Sequence, residues 1–179
     1  MIKLRYFEPA DFKQLIDWVD TAELMLQWAG PSFVFPLNKF QLEEYLKEAN
    51  GKNSSSYIYS VVDADSGKLL GHISLARIDR NNRSARIGRV LIGDPGAKGK
   101  GLCSQMMQQV LKVAFEELKL HRVTLGVFDF NGPAIACYEK TGFKKEGLMR
   151  DHQKFGEDYW SLWEMAILED EWREKKDKP

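Results

Sequence analysis

Ser84-Ala85-Arg86-Ile87-Gly88-Arg89-Val90-Leu91-Ile92 reads as a strand, and Gly93-Asp94-Pro95-Gly96-Ala97-Lys98-Gly99-Lys100-Gly101 as a glycine-rich loop. Leu102 then opens the strongest helical pattern in the chain. There Leu102, Met106, Val110, Ala114 and Leu118 recur at i+4 with Leu111 and Phe115 beside them, while Ser104, Gln105, Gln108, Gln109, Lys112, Glu116 and Lys119 fill the opposite face. Val123, Leu125 and Val127 alternate after it as a second strand. A strand–loop–helix–strand unit of this kind closes as a parallel, right-handed crossover.

Upstream, Ile2 to Tyr6 alternates apolar and basic residues and predicts a short strand. Asp11 stands where an N-cap would precede Phe12, Leu15, Ile16 and Val19 at helical spacing. A second helical patch, 24–28, ends at Gly30-Pro31, and Asn38 is placed to cap a third helix through about Ala49. Period-two segments at 58–63 and 69–78, joined by Asp65-Ser66-Gly67, form a hairpin that the strand from Ser84 extends. Downstream, Asn131-Gly132-Pro133 opens a short helix that Gly142 closes. Strands at 143–150 and 159–168 follow, and the residues from Glu169 on form a charged, frayed tail. The expected fold is α/β (α+β): a mixed, mostly antiparallel central sheet with one parallel crossover, in a single domain over 1–170 with a tail at 171–179.

Composition narrows the function. With 179 residues the chain can bury a core without staples, and 44% hydrophobic with 29% charged residues is globular. Lys plus Arg (26) equals Asp plus Glu (26), so no global field would hold it on nucleic acid or an anionic membrane. Cys103 and Cys137 match no zinc or redox spacing and suit a reducing cytoplasm as free thiols. No apolar stretch is long enough to span a bilayer, and the opening residues lack a secretory signal's apolar core. No metal spacing links His72, His121 and His152.

Lys98-Gly99-Lys100-Gly101 stands at the entrance of the long helix. First-turn N–H groups without intrahelical partners, the helix dipole, two glycines and two lysines make a bed for a pyrophosphate. The spacing excludes a Walker A loop, because Gly101 is followed by Leu102, and a dinucleotide fingerprint, because Ser104 stands where the third glycine belongs. A tight turn with no ligand would use the same glycines.

Asn131, Ala134 and Tyr138 share one helix face. Alone, they read as a cap and a packing residue. The string Asn131-Gly132-Pro133-Ala134-Ile135-Ala136-Cys137-Tyr138-Glu139-Lys140-Thr141-Gly142-Phe143, together with Lys98-Gly99-Lys100-Gly101-Leu102-Cys103, resembles the Gcn5-related N-acetyltransferase (GNAT) superfamily. Its pyrophosphate loop has the form Gln/Arg-x-x-Gly-x-Gly/Ala, and its downstream signature is Asn-x-x-Ala-x-x-x-Tyr-Glu-Lys-x-Gly-Phe. Leu4-Arg5 with Asp11, and Arg150 with Asp158 to Met165, are similar to the RimJ/RimL ribosomal-protein branch. Two positions depart from the pattern: Lys98 keeps the charge but not the planar fork of arginine, and Cys103 is larger than the usual small residue.

The resemblance implies the GNAT fold, with acetyl-CoA as co-substrate between two splayed parallel strands and no metal. It assigns the pantetheine edge to Val90, Leu91 and Ile92 and the pyrophosphate bed to Lys98, Gly99, Lys100, Gly101, Leu102, Cys103 and Ser104. It gives Asn131 a contact to the pantetheine arm and makes Tyr138 the proton donor to the departing thiolate. The acceptor is a primary amine, a peptide α-amine or a small molecule, and a monomer or homodimer is expected. The aromatic segment from Trp28 to Leu37 is core or acceptor wall. No carboxylate lies between Arg83 and Ile92, so Glu8, Asp79, Asp94 and Asp129 are the remaining candidates for a general base. A non-catalytic acyl-CoA-binding module is the competing reading.

Overall fold

The structure is a computed structural model that describes residues 1–176. Seven strands follow the order β1-β2-β3-β4-β5-β7-β6, the mixed α/β sheet expected from the patterning. They are β1 Ile2–Tyr6, β2 Tyr57–Asp63, β3 Leu69–Asp79, β4 Ser84–Ile92, β5 Arg122–Phe128, β6 Lys144–Phe155 and β7 Asp158–Leu168. The helices are α1 Phe12–Trp18, α2 Ala22–Ala29, α3 Lys39–Leu46, α4 Leu102–Lys112, α5 Gly132–Thr141 and α6 Glu169–Lys176. By contacts the chain forms two compact units, residues 1–78 with 87–102, and 79–86 with those from 103 on.

In the first unit, antiparallel β1, β2 and β3 present apolar residues to a core of Phe7, Phe12, Leu15, Met25, Leu42 and Ile58. Asn38 caps α3 as expected, its Oδ1 accepting from Gln41 N at 3.0 Å. Asp11 does not cap α1. Arg5 and Ser60, cross-strand partners on β1 and β2, capture its carboxylate: Arg5 donates at 2.6 and 2.8 Å and Ser60 Oγ at 2.6 Å. Burial alone would raise that carboxyl's pKa, and these donors outweigh it and hold it low.

In the second unit, β4 and β5 run parallel through the pairs Ser84–Arg122, Ala85–Val123 and Arg86–Thr124. β5 pairs antiparallel with β7, and β7 with β6. Gly126 lies opposite Glu164, and a Cβ there would fall 2.6 Å from Arg86 Nη2. The missing side chain lets the Arg86 guanidinium reach the Glu164 carboxylate with both terminal nitrogens.

Two further expectations are corrected. The helix after the loop is not one continuous α-helix: a π-helical turn, Val113–Glu117, follows α4. The wider turn leaves Leu118 half-buried and brings Leu120 into the core. The tail is not frayed over 169–176, where α6 forms. Glu169 ties it to Arg83 at 2.9 Å, Trp172 stacks on Phe115 at 5.9 Å, and Lys176 reaches Glu116 at 2.6 Å. Acidic residues in its first turn and basic ones in its last complement the helix dipole. Residues 177–179 lie outside the described part.

Candidate active site

The loop before α4 belongs to the first unit. Asp94 caps its short 3₁₀ turn, Pro95–Ala97, accepting from Gly96 N at 3.2 Å. Gly99 and Gly101 then take φ of +75° and +72°, a region costly for any residue with a Cβ. A Cβ at either position would meet nothing within 4 Å, so the turn leaves open space beside its backbone. Lys98 and Lys100 are exposed, and neither forms an ion pair among the described residues. Left-handed glycines, unspent lysines and an eleven-residue helix beyond them fit a pyrophosphate. Leu102 is buried and anchors the helix start. Val90, Leu91 and Ile92 lie half-buried at the end of β4.

The rest of the expected site lies in the second unit. Asn131 Oδ1 accepts from Ala134 N at 3.3 Å, so this residue does cap α5. The cap occupies the carbonyl oxygen of the side chain. Two turns on, Tyr138 is 7% exposed, with its ring 6.2 Å from that of Phe143. Burial pushes its phenol pKa well up, so it stays protonated at any working pH.

The cysteines are not free thiols. Cys103 and Cys137 form a disulfide with an S–S distance of 2.09 Å. The crossover returns the chain so that the first turn of α4 lies against the second turn of α5, 34 residues later. Ser104 Oγ sits 4.0 Å from Cys137 Sγ in the same contact. The covalent tie therefore holds Ser104 beside the residue that precedes Tyr138. With its sulfur bonded, Cys103 can serve an anion only through its backbone.

Three of the four candidate bases have other partners. Glu8 lies 3.3 Å from Arg5, and Asp79 accepts from Asn82 N at 2.8 Å. Lys68 donates to Asp94 at 2.6 Å and, with Gly96, holds that carboxyl below the usual range. Asp129 is exposed at the end of β5. Among the described residues no group of His, Cys, Asp and Glu is arranged to hold a metal.

Sequence reasoning missed a cluster in the first unit. The Arg89 guanidinium carbon stands 4.5 Å from the Tyr45 ring centre and 5.3 Å from that of Phe33. Trp28 stacks on Phe33 at 5.7 Å, and the Tyr45 hydroxyl lies 3.2 Å from His72 Nε2. His72 is buried and its pKa falls to about 3, chiefly through desolvation and then through the charge of Arg89. Only the aromatic run from Trp28 gave a signal, because Tyr45, His72 and Arg89 are each isolated in sequence.

The acetyltransferase (GNAT) domain profile matches residues 2–144. The chain belongs to that family. It is by class an acetyl-CoA-dependent N-acetyltransferase, with acetyl-CoA as co-substrate. The probable N-acetyltransferase YjcK of Bacillus subtilis is 34% identical over 65% of this chain and 64% of its own length, so the chain spans somewhat under two thirds of that relative. YdaF of the same organism, named provisionally as a ribosomal N-acetyltransferase, is 28% identical over 98% of this chain and 95% of its own. The crystal structure of spermidine N-acetyltransferase from Vibrio cholerae in complex with CoA and spermine superposes with a TM-score of 0.83 at 26% identity, covering 96% of this chain and 98% of that one. Among the described residues no helix is long and apolar enough to cross a membrane.

Proposed function

We propose that this protein transfers an acetyl group from acetyl-CoA to a primary amine by direct attack in a ternary complex, with residues 1–170 as one catalytic domain. Acetyl-CoA supplies an activated acetyl group. Backbone N–H groups of Gly99, Gly101, Leu102, Cys103 and Ser104 hold its pyrophosphate, and Lys98 and Lys100 add charge. The backbone edge of Val90, Leu91 and Ile92 pairs with the pantetheine arm, and an N–H there stabilises the oxygen that gains charge as the amine attacks. Asn131 keeps its amide N–H2 for the same arm, since its oxygen caps α5. Tyr138 protonates the departing thiolate.

The observation that carries this reading is the buried, protonated Tyr138 on a helix that Asn131 caps and that Cys103–Cys137 joins to the first turn of α4. Three of the candidate carboxylates, Glu8, Asp79 and Asp94, already have partners, and Asp129 is exposed. That favours an acceptor that loses its proton easily, such as an α-amine with a reference pKa near ~8 rather than a lysine at ~10.4. A ribosomal-protein acceptor of the RimJ/RimL kind is compatible with this. The chemistry needs no metal, nucleic acid or membrane, suits a monomer or homodimer, and belongs in the cytoplasm because acetyl-CoA is available there; the cysteines no longer support that compartment, since Cys103 and Cys137 form a disulfide.

The test combines calorimetric binding of acetyl-CoA with CoA release across a panel of amines. Acetyl-CoA should bind the parent, and Gly101→Asp, which places a negative side chain in the bed, should weaken it at least tenfold while the fold persists. Undiminished affinity in that variant would remove the loop from the site. Binding without turnover on any amine would make the protein an acyl-CoA-binding module.

A further inference from the structure

The first unit buries two hydrogen-bond donors that nothing in it satisfies. Trp28 is 7% exposed, and its Nε1 has no hydrogen-bond partner. Arg89 Nε is likewise buried without one. Both groups lie against the Phe33 ring, Trp28 stacked on it at 5.7 Å and the Arg89 guanidinium carbon 5.3 Å from its centre. An orphaned buried donor forfeits its hydrogen bond to water without replacement, and native proteins rarely keep two in one cluster. Both are donors only, so what completes them is an acceptor.

The charge points the same way. Arg89 joins no ion pair among the described residues, whereas Arg5, Arg83, Arg86 and Arg122 each hold a carboxylate. Its guanidinium lies against aromatic faces and hydrogen-bonds the Tyr45 side chain, a neutral partner, and the His72 imidazole bonded to the same tyrosine is neutral too. One uncompensated positive charge with two N–H donors matches one carboxylate, since a doubly charged phosphate would need more. The backbone of Arg89 takes φ +49°, a left-handed conformation that is strained for a non-glycine residue. It does so one residue before Val90, where the proposed pantetheine edge begins.

We propose that Arg89 and Trp28 bind a carboxylate of the acceptor, so that the amine acetylated here belongs to an aminocarboxylate. This rests on the acetyl-transfer reading and sharpens it. Two sources carry that chemistry: a free α-amino acid, whose carboxylate is one carbon from its amine, and a peptide whose first side chain is acidic. A polyamine is excluded, because it offers the guanidinium only like charge. This acceptor class is unlike the spermine with which one structural neighbour was crystallised.

The experiment measures kcat/KM with acetyl-CoA for free amino acids against their carboxamides, for Asp- and Glu-led against Asn- and Gln-led peptide amides, and for spermidine. Calorimetric titration of the same compounds into the CoA-bound protein gives a readout independent of turnover. The parent should prefer the carboxylate member of one pair by roughly 10–100-fold, the range for a hydrogen bond to a charged group. Which pair shows the preference identifies the source. Trp28→Phe, which keeps an aromatic ring beside Phe33 and deletes Nε1, and Arg89→Gln should raise KM more than they lower kcat and bring the acid-to-amide ratio toward one. Arg89→Lys should restore part of it. Equal use of acids and amides, or preferred use of spermidine, would overturn the proposal while leaving acetyl transfer intact. If no amine turned over, the transfer reading would fail, and titration would still decide the carboxylate site: tighter binding of the acid supports it, equal binding overturns it.

Discussion

Opening the Cys103–Cys137 disulfide should cost this protein a measurable share of its stability. The bond closes a loop of 34 residues. Chain-entropy arithmetic for such a loop gives about 3.8 kcal/mol at 25 °C, acting through the restricted unfolded chain. That is a large fraction of the 5–15 kcal/mol typical of a folded domain, taken as an order of magnitude. In urea it corresponds to a midpoint shift of roughly 1–2 M for a protein of this size. The assay is urea unfolding followed by tryptophan fluorescence, with and without a phosphine reductant, on the parent and on a Cys103→Ser, Cys137→Ser variant. The oxidised parent should unfold at higher urea than the reduced one. The double variant should match the reduced parent and ignore reductant. Two labelled thiols in the folded, oxidised parent, or equal midpoints in both states, would refute the loop. The same bond makes acetyl-cysteine intermediates chemically impossible in the oxidised protein, because neither sulfur is a free thiolate.

His72 should make stability pH-dependent. Its folded pKa of about 3 lies below the ordinary 6.5, so the unfolded chain binds the extra proton between those values and stability falls as pH drops through that window. Between pH 7.5 and 5 the loss should be about 2 kcal/mol by denaturant titration, and His72→Gln should flatten it. Asp11, held low by Arg5 and Ser60, contributes stability that is lost only at more acidic pH, below the ordinary carboxylate range. Gly71→Ala should destabilise by about 1–3 kcal/mol, because its Cβ would sit 2.3 Å from the Leu91 carbonyl oxygen. Acetyl-CoA affinity should fall with it, since Leu91 belongs to the proposed pantetheine edge, and a neutral result in both measurements would detach that edge from β3.

What was legible in the sequence is what short-range physics encodes. The bounds of β1 and β4 emerge from alternation, and α5 from Asn131, Pro133 and Gly142. The misses are tertiary. Asp11 has the spacing of a cap, yet Arg5 and Ser60 compete for its carboxylate, and their pairing exists only once β1 meets β2. The i+4 repeat through Leu118 conceals a π-helical turn, because a shifted stripe still looks apolar. Charge in α6 reads as a tail until Arg83, Glu116 and Lys144 supply its partners. The cysteines show no motif because a crossover, not their spacing, brings them together. For the candidate site, the loop and the α5 motif were visible as local patterns, whereas Trp28, Tyr45, His72 and Arg89 converge from four separate elements.

The most direct measurement is the turnover of Tyr138→Phe with acetyl-CoA and an accepted amine, recorded from neutral to alkaline pH. The ring, its packing against Phe143 and the burial of the helix survive this substitution, so fold and acetyl-CoA affinity should be retained. If Tyr138 protonates the thiolate, kcat should fall roughly 10²–10⁴-fold, the range for removing a positioned general acid. A kcat near that of the parent across the pH range, with acetyl-CoA still bound, would contradict Tyr138 as the acid and leave it a packing residue.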